Sequence, residues 1–127
     1  MIRRSLFAAF GPVVLVAMVP ATAIAQAAPG ASLFASKCQI CHSVAAKGAP
    51  ALLAPNLRGV VGRKAASVTG FEYSGPLKAA AITWTDDKLT QWVAGPAKMV
   101  PGTKMAFPGI TSKADARNVV AYLDTLK

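Results

Sequence analysis

The sequence predicts a small all-α domain with long ordered loops. Two segments near the C-terminus have helical spacing of apolar residues, TDDKLTQWVA at 85–94 and SKADARNVVAYLDTLK at 112–127. No stretch alternates apolar and polar residues for long enough to predict a strand. Over residues 43–70, glycines and prolines are too closely spaced for long regular elements. Loops of that length are unusual in a compact domain unless they surround a bound group.

The first twenty-five residues have the layout of a secretory signal peptide. Arg3 and Arg4 form a short basic start, and residues 6–19 are predominantly apolar. The Ala-Ile-Ala run at 23–25 then supplies the small residues that a signal peptidase selects. This layout predicts export across a membrane.

Cleavage is expected after Ala25, with Ala27 as the alternative. A retained membrane anchor is the competing interpretation, but two prolines interrupt an apolar stretch that is shorter than the ~20 residues of a spanning helix. The expected organisation is a signal peptide over residues 1–25 and a single domain over residues 26–127. That domain is expected in the bacterial periplasm, without a stable membrane anchor.

The chain is strongly basic. Fourteen Lys and Arg stand against five Asp and Glu, and the formal charge is still +7 once Arg3 and Arg4 are removed with the signal peptide. Such a surface favours an acidic protein partner or an anionic membrane surface. The basic residues are scattered singly rather than clustered with aromatic residues, and export argues against nucleic acid as a partner.

Capping residues predict where the first helices begin. Residues 28–30, Ala-Pro-Gly, are expected to form a linker, and Ser32 is the expected N-cap of a helix that runs through Cys38 and Cys41. A second, short helix is expected over residues 76–82.

Two further helices are predicted by their caps. Thr85 is the expected N-cap of a helix that opens with two aspartates, at the positive end of the helix dipole, and that ends at Gly95 and Pro96. Ser112 and Asp115 form a capping box at the start of the last helix. The intervening GPAKMVPGTKMAFPG is expected to be a loop bracketed by prolines.

Both cysteines and the only histidine lie in one short stretch, KCQICHSV at 37–44. Four kinds of site use these residues: a disulfide or thiol-exchange motif, a structural zinc site, a Cys-His nucleophile pair and covalent haem attachment. An exchange motif normally follows a strand, and none is predicted ahead of Cys38. A zinc site needs a fourth strong ligand that the chain lacks. An adjacent thiol and imidazole cannot easily face each other as nucleophile and base.

The motif favours haem attachment, of which C-x-x-C-H is the signature. Residues three apart share a face of a helix, so Cys38 and Cys41 can form thioethers to one porphyrin while His42 binds its iron. A single haem c attached in this way would also give the long loops a core. The extracytoplasmic machinery that makes such bonds agrees with the predicted leader.

A sixth iron ligand is needed if the site is to carry electrons. The chain has no second histidine, so a methionine thioether is the natural candidate, and the expected mature domain has only Met99 and Met105. Met105 is preferred because prolines and glycines on both sides hold its loop. Met99 remains the alternative, and core packing is the ordinary role of either residue.

Taken in order, these pieces resemble the class I c-type cytochromes of the cytochrome c2 and mitochondrial cytochrome c group. The resemblance covers nearly all of residues 30–127. Its matching segments are GASLFASKCQICH, APNLRGVVGRK, GFEYSGPLK, ITW, PGTKMAF and VVAYL. This ordered set is far more specific than C-x-x-C-H alone.

The resemblance implies a cytochrome c fold, with helices and long ordered loops wrapped around one covalently bound haem. It implies Cys38 and Cys41 as the thioether anchors and His42 and Met105 as the axial ligands of the iron. It also implies that the backbone carbonyl of Pro55 accepts a hydrogen bond from the other imidazole nitrogen.

Other positions match the family pattern. Tyr73 and Trp84 match residues that hydrogen-bond a haem propionate, and Arg63 matches one near the same group. Thr103 matches a residue that helps to hold the methionine loop. The crossing of the first and last helices is matched by Gly30, Phe34 and Tyr122.

The chain also departs from the pattern. Trp92 stands where most members have a tyrosine, and Leu77 where mitochondrial members often have asparagine. Ala97 replaces a lysine of the docking face, and the segment 45–54 is one residue longer. The lysines expected around the haem edge are Lys37, Lys98 and Lys104.

The resemblance implies electron transport rather than catalysis. The expected protein is a soluble periplasmic monohaem cytochrome, not an enzyme, that shuttles single electrons between redox proteins of a respiratory or photosynthetic chain. Its expected partners are acidic: a membrane cytochrome complex, an oxidase, a reaction centre or a dehydrogenase. They would dock transiently at a lysine-ringed haem edge, with the cytochrome as a monomer.

Two alternatives stay open. A dedicated cytochrome subunit, bound permanently to one periplasmic dehydrogenase, would have much the same sequence. A haem peroxidase or gas-binding cytochrome would need the Met105 bond to be absent or labile. The carboxylates give that second alternative no support, because Asp86, Asp87 and Asp115 are explained as helix starts.

Overall fold

The computed structural model describes residues 11, 14–46 and 53–127. The helices in this part of the chain are α1 (Ala21–Lys37), α2 (Gly75–Ala80), α3 (Asp86–Ala94), α4 (Pro96–Met99) and α5 (Lys113–Asp124). The described residues form no strand beyond an isolated bridge between Lys64 and Thr83. The predicted all-α fold with long loops is therefore confirmed. Most of the longer segment at 45–54 falls on residues 47–52, outside the described residues.

The start of α1 differs from the prediction. The expectation of a linker at 28–30 and an N-cap at Ser32 is wrong, because α1 begins at Ala21 and contains Pro29. Five of the eight residues from 21 to 28 are alanine, the residue type with the highest helix propensity. Pro29 removes one backbone donor, and that single loss does not end the helix here.

The end of α1 lies earlier than expected. The helix ends at Lys37 rather than running through Cys41, and Cys38 is its C-cap. The chain continues as hydrogen-bonded turns, in which the N–H groups of Cys41 and His42 donate to the Cys38 carbonyl at 3.1 and 2.9 Å. These turns keep the three residues of the motif in one compact unit.

The crossing of α1 and α5 is held by a close backbone approach. A Cβ built on Gly30 would lie 1.9 Å from the Asn118 carbonyl oxygen, so only glycine allows the two helices to come this close. One turn further on, the rings of Phe34 and Tyr122 pack with their centroids 5.5 Å apart. Helix α5 also contacts α3, and α3 contacts α4.

Side-chain caps fix the starts of the remaining helices. Thr85 Oγ1 accepts a hydrogen bond from Lys88 N at 3.3 Å, and Ser112 Oγ accepts one from Asp115 N at 3.2 Å, as the sequence predicts. Helix α2 begins after Ser74, one residue earlier than expected. The short helix α4 was not predicted, since its residues were assigned to the loop that follows Gly95.

The core forms a shell around a cavity rather than a solid interior. Thirteen buried apolar side chains make one cluster, in which Val60, Leu77 and Trp84 from the loop side meet residues of α1, α3 and α5. Within the described residues, no helix is long and apolar enough to cross a membrane.

Candidate functional site

The site is a cavity of about 480 Å³ enclosed by the loops and by α1, α3 and α5. Its size is in the range of about 300–1,000 Å³ typical of small-molecule and cofactor sites. Most of the lining is apolar, and it includes the buried residues Phe34, Val60, Leu89, Val119 and Leu123. A large apolar cavity in a domain this small suits a nonpolar group.

The C-x-x-C-H motif forms one part of the cavity wall. Cys38, Cys41 and His42 all line it, and both cysteines are free thiols rather than a disulfide. Burial raises the pKa of the Cys38 thiol, an effect that the charge of Lys37 partly opposes. Cys38 is therefore held largely in the neutral thiol form at the cavity surface, which gives no support to a thiolate nucleophile.

His42 is buried and held by the chain through one ring nitrogen. Its Nδ1 lies 2.7 Å from the carbonyl oxygen of Pro55, and because a carbonyl only accepts, Nδ1 carries the proton in this bond. Burial lowers the pKa of His42, and the hydrogen bond to Pro55 opposes this in part. A neutral imidazole with Nδ1 occupied has only Nε2 left as a ligand atom.

The two methionines occupy different places. Met105 lines the cavity, and its backbone N–H donates to Thr103 Oγ1 at 3.4 Å. Gly102 turns this loop with a φ of +87°, where a larger residue would be strained, and lies against Pro76. Met99 lies on α4, half-buried against the core, and is not part of the cavity lining.

Arg63, Tyr73 and Trp84 meet on a second part of the wall. The Arg63 guanidinium donates to the backbone carbonyls of Asn56 and Arg58 at 3.0 and 3.3 Å. Burial lowers the pKa of Arg63, but a guanidinium remains charged in proteins. A fixed cation beside phenol and indole donors suits a carboxylate or other anionic group at the edge of the cavity.

Two of the four departures from the family pattern, Trp92 and Leu77, also lie on the wall. Trp92 is buried on α3, and its ring centroid lies 5.2 Å from that of Trp84. Leu77, buried on α2, adds a further apolar surface where a polar side chain was expected in relatives. The Trp92 indole, which is larger than a tyrosine ring, packs on the Trp84 indole.

Lysines stand at the edge of the cavity, though not all those expected. Lys37 and Lys104 border it, whereas Lys98 lies on α4 and does not. Lys64, which was not included in the expected ring, does border the cavity. The sequence did not indicate that Lys64 borders the cavity, because Lys64 is brought there by an isolated bridge to Thr83, a tertiary contact.

Lys104 is also hydrogen-bonded to the loop that precedes α2. Its Nζ donates to the backbone carbonyl of Glu72 at 3.2 Å, while Lys78 Nζ lies 3.0 Å from Glu72 Oε1. The bond from Lys78, with the charges of Lys78 and Lys104, lowers the pKa of the Glu72 carboxyl. One exposed carboxylate thus offsets part of the positive charge at this edge.

The donor set fits an iron porphyrin. Two thiols three residues apart, an imidazole with a free Nε2 and a thioether all face one apolar cavity, and these are ligand types used for haem. Among the described residues, no group of three or more His, Cys, Asp or Glu side chains is arranged to hold a metal ion by itself. The cavity therefore suits a flat apolar cofactor that brings its own metal.

Comparisons with known proteins agree with this chemistry. A family model described as Cytochrome c matches residues 27–127. Cytochrome c-554 of Methylosinus trichosporium is 45% identical over 103 residues, which make up 81% of this chain and 76% of that protein. The solved structure of cytochrome cH from Methylobacterium extorquens is 43% identical with a TM-score of 0.69, over 78% of this chain and 97% of its own.

One relative is considerably longer. Cytochrome c-type cyt cy of Rhodobacter capsulatus is 41% identical over 115 residues, which are 91% of this chain. Those residues are 56% of the relative, so the chain spans about half of its length. The match thus covers most of the sequence of this chain.

Proposed function

The chain belongs to the cytochrome c family, and on that premise we propose that it is a periplasmic carrier of single electrons. The cofactor would be one haem c, joined by thioether bonds to Cys38 and Cys41. When bound, the haem supplies a one-electron change between ferric and ferrous iron. The remainder of the proposal concerns what the chain does for that group.

The observation that carries the proposal is that His42 and Met105 open onto the same apolar cavity. Each residue is also hydrogen-bonded to the chain. His42 Nδ1 donates to the Pro55 carbonyl, and the backbone N–H of Met105 donates to the Thr103 hydroxyl. If His42 and Met105 both bound the iron of a haem held here, no ligand position would remain for a substrate. This favours an electron carrier over a peroxidase or a gas-binding protein.

The cavity wall favours the reduced state. The neutral imidazole and the thioether would be uncharged ligands, and the apolar surrounding would disfavour the extra positive charge of ferric iron, so both would raise the reduction potential. The burial of His42 and the apolar side chains around the cavity provide this environment. Arg63 adds a fixed positive charge on the same wall.

Partner contact is proposed at the edge of the cavity, where Lys37, Lys64 and Lys104 stand. Their charges would attract an acidic redox protein and raise the rate of encounter, without requiring tight binding. The net positive charge of the chain acts in the same direction. We propose that the protein works as a monomer that docks transiently.

The spectrum of the purified holoprotein tests the ligand assignment. We expect the weak sulfur-to-iron charge-transfer band of the ferric state to be present in the wild type and lost in Met105→Ala. Met99→Ala is the matched control and is expected to retain the band, because Met99 does not line the cavity. Loss of the band in Met99→Ala alone would assign the ligand to Met99. A wild type without the band, but with bound peroxide or gas, would favour an enzyme.

A further inference from the structure

Helix α1 consists of two unequal halves. Residues 21–29 are exposed apart from the half-buried Ala27, whereas the second half contributes the buried Gly30 and Phe34. Gly30 packs tightly on Asn118 of α5, and the exposed Gln26, one turn earlier, still borders a surface pocket lined by α3 and α5. The tightly packed part of α1 therefore begins at Gly30, and the side chains before it are largely exposed.

Pro29 marks the boundary between the halves. In an α-helix each carbonyl accepts a hydrogen bond from the N–H four residues later, and proline has no N–H. The carbonyl that loses its partner is that of Ala25. By contrast, the carbonyl of Ala27 faces the N–H of Ala31, which is available within α1.

The two carbonyls belong to the two candidate cleavage bonds. A signal peptidase selects small residues at the first and third positions before the cut. Ala25 and Ala23 occupy these positions for cleavage after Ala25, and Ala27 and Ala25 occupy them for cleavage after Ala27. A peptidase binds the chain around the scissile bond in an extended form, so any helix there must open first. Opening costs less at Ala25, where one helical hydrogen bond is already absent.

We propose that Ala25–Gln26 is the processing site of this chain and that Pro29 selects it by keeping the scissile carbonyl free of the helix. The inference rests on the proposed export. The enzyme class is a membrane-bound peptidase that selects small residues. Water adds to the Ala25 carbonyl carbon and the bond to Gln26 breaks, which leaves a carboxylate on Ala25 and an ammonium group on Gln26.

The product explains how a proline fits in this helix. After cleavage Gln26 is the first residue, and Pro29 is the fourth. The first four N–H groups of a helix have no intrahelical partner, so a proline at this position costs no hydrogen bond in the mature domain. Cleavage after Ala27 would also place the cut only three residues from the tight contact at Gly30.

The N-terminus of the exported holoprotein tests the proposal. The full chain is produced in a bacterium that attaches haem, and intact mass and N-terminal sequencing are measured. We expect a single species that begins at Gln26. A species that begins at Ala28, or one that keeps residues 1–25 as an anchor, would overturn the proposal.

Two variants test the role of Pro29. Pro29→Ala is expected to slow processing several-fold in a pulse–chase experiment and to let part of the chain be cut after Ala27. Adding Ala31→Pro to that variant frees the Ala27 carbonyl and is expected to move the main cut there. Ser36→Ala, exposed on the same helix, is the control and should match the wild type. Unchanged rate and site in both proline variants would disprove the selection by Pro29.

These outcomes are separate from those of the proposed function. The sulfur-to-iron band depends on the cavity and not on the first residue of the chain. A chain that begins at Gln26 without the band would contradict electron carriage and leave the processing site intact. A chain with the band and another N-terminus would do the reverse.

Discussion

The Nδ1 atom of His42 lies 2.7 Å from the carbonyl oxygen of Pro55. This hydrogen bond decides which ring nitrogen carries the proton and which one faces the cavity. It links the C-x-x-C-H motif to the loop that follows the residues 47–52. The imidazole is therefore oriented before any ligand reaches it, and its orientation does not depend on a charged partner.

Stability should fall as the pH is lowered below the ordinary pKa of histidine. Burial lowers the pKa of His42 from 6.5, so the unfolded chain binds a proton that the folded chain does not. The free energy of unfolding therefore decreases as the pH falls below about 6.5, until the folded state is also protonated. The proposed iron ligation by His42 would act in the same direction, because it needs the neutral ring. Urea unfolding at a series of pH values measures this change.

The interpretation of that experiment is simple because His42 is the only histidine in the chain. Constant stability between pH 7 and pH 5.5 would show that His42 has the same pKa in both states. Such a result would contradict its burial in the folded protein.

Gly30→Ala should strongly destabilise the domain. Alanine has the higher helix propensity by about 1 kcal/mol, but its Cβ would lie 1.9 Å from the Asn118 carbonyl oxygen. The helices must separate, and overpacking of this kind costs about 3 kcal/mol. The steric effect outweighs the propensity. Denaturant unfolding measures the loss.

Gly75→Ala is the matched control for this substitution. Gly75 likewise lies in a helix, as the first residue of α2, but a Cβ there would meet no atom within 4 Å. We expect no loss of stability. Equal destabilisation by the two substitutions would mean that the contact at Asn118 is not what makes Gly30 necessary.

Thr103→Val should weaken the proposed bond between Met105 and the haem iron. The substitution keeps the shape of the side chain and removes the hydroxyl that accepts from the Met105 N–H. A hydrogen bond of this kind contributes about 1 kcal/mol, which corresponds to about a fivefold change in an equilibrium constant. Added imidazole should displace Met105 at a correspondingly lower concentration, as followed by the sulfur-to-iron band.

Thr90→Val provides the comparison for Thr103→Val. Thr90 Oγ1 donates to the Asp86 carbonyl within α3, at 2.7 Å, and Thr90 does not line the cavity. The imidazole titration of this variant should match that of the wild type. A matching titration for Thr103→Val as well would show that the hydroxyl does not hold the methionine loop.

Lys37→Gln should slow electron transfer to an acidic partner several-fold at low ionic strength. Lys37 borders the cavity, so its charge acts on a partner that approaches this edge. Raising the salt concentration from about 0.05 M to 0.5 M should reduce the difference, because the screening length shortens. Stopped-flow measurement of the second-order rate constant tests this.

The control for the charge effect is Lys113→Gln. Lys113 is exposed at the start of α5 and does not border the cavity. Its loss lowers the net charge by the same amount, so it should change the rate only slightly. Equal slowing by the two substitutions would point to overall charge rather than to docking at the cavity edge.

Local signals in the sequence predicted what local physics determines. The caps at Thr85 and Ser112 are confirmed because a hydroxyl three residues before an unpaired N–H acts without help from the rest of the fold. The predicted start of α1 was wrong because residues 28–30 were expected to form a linker. The helix propensity of five alanines outweighs the hydrogen bond that Pro29 removes. Helix α4 was missed because its four residues are too few to show a period.

Tertiary relationships were harder to predict from the residues alone. No periodicity places Lys64 at the cavity edge, because an isolated bridge to Thr83 brings it there. The packing of Trp92 on Trp84 likewise depends on how α3 lies against the loop before it. The choice of Met105 over Met99 as ligand remains a prediction, which the cavity lining supports.

The contact between Gly30 and Asn118 also bears on the order in which the domain can assemble. It joins the first and last helices, so under the proposed export it would form only after α5 has crossed the membrane, and contacts so distant in sequence form slowly. The cysteines of the motif would emerge much earlier from the translocation channel. We expect them to be accessible to haem-attachment enzymes during this interval, and the arrival of α5 to close the shell over a cofactor that is already bound.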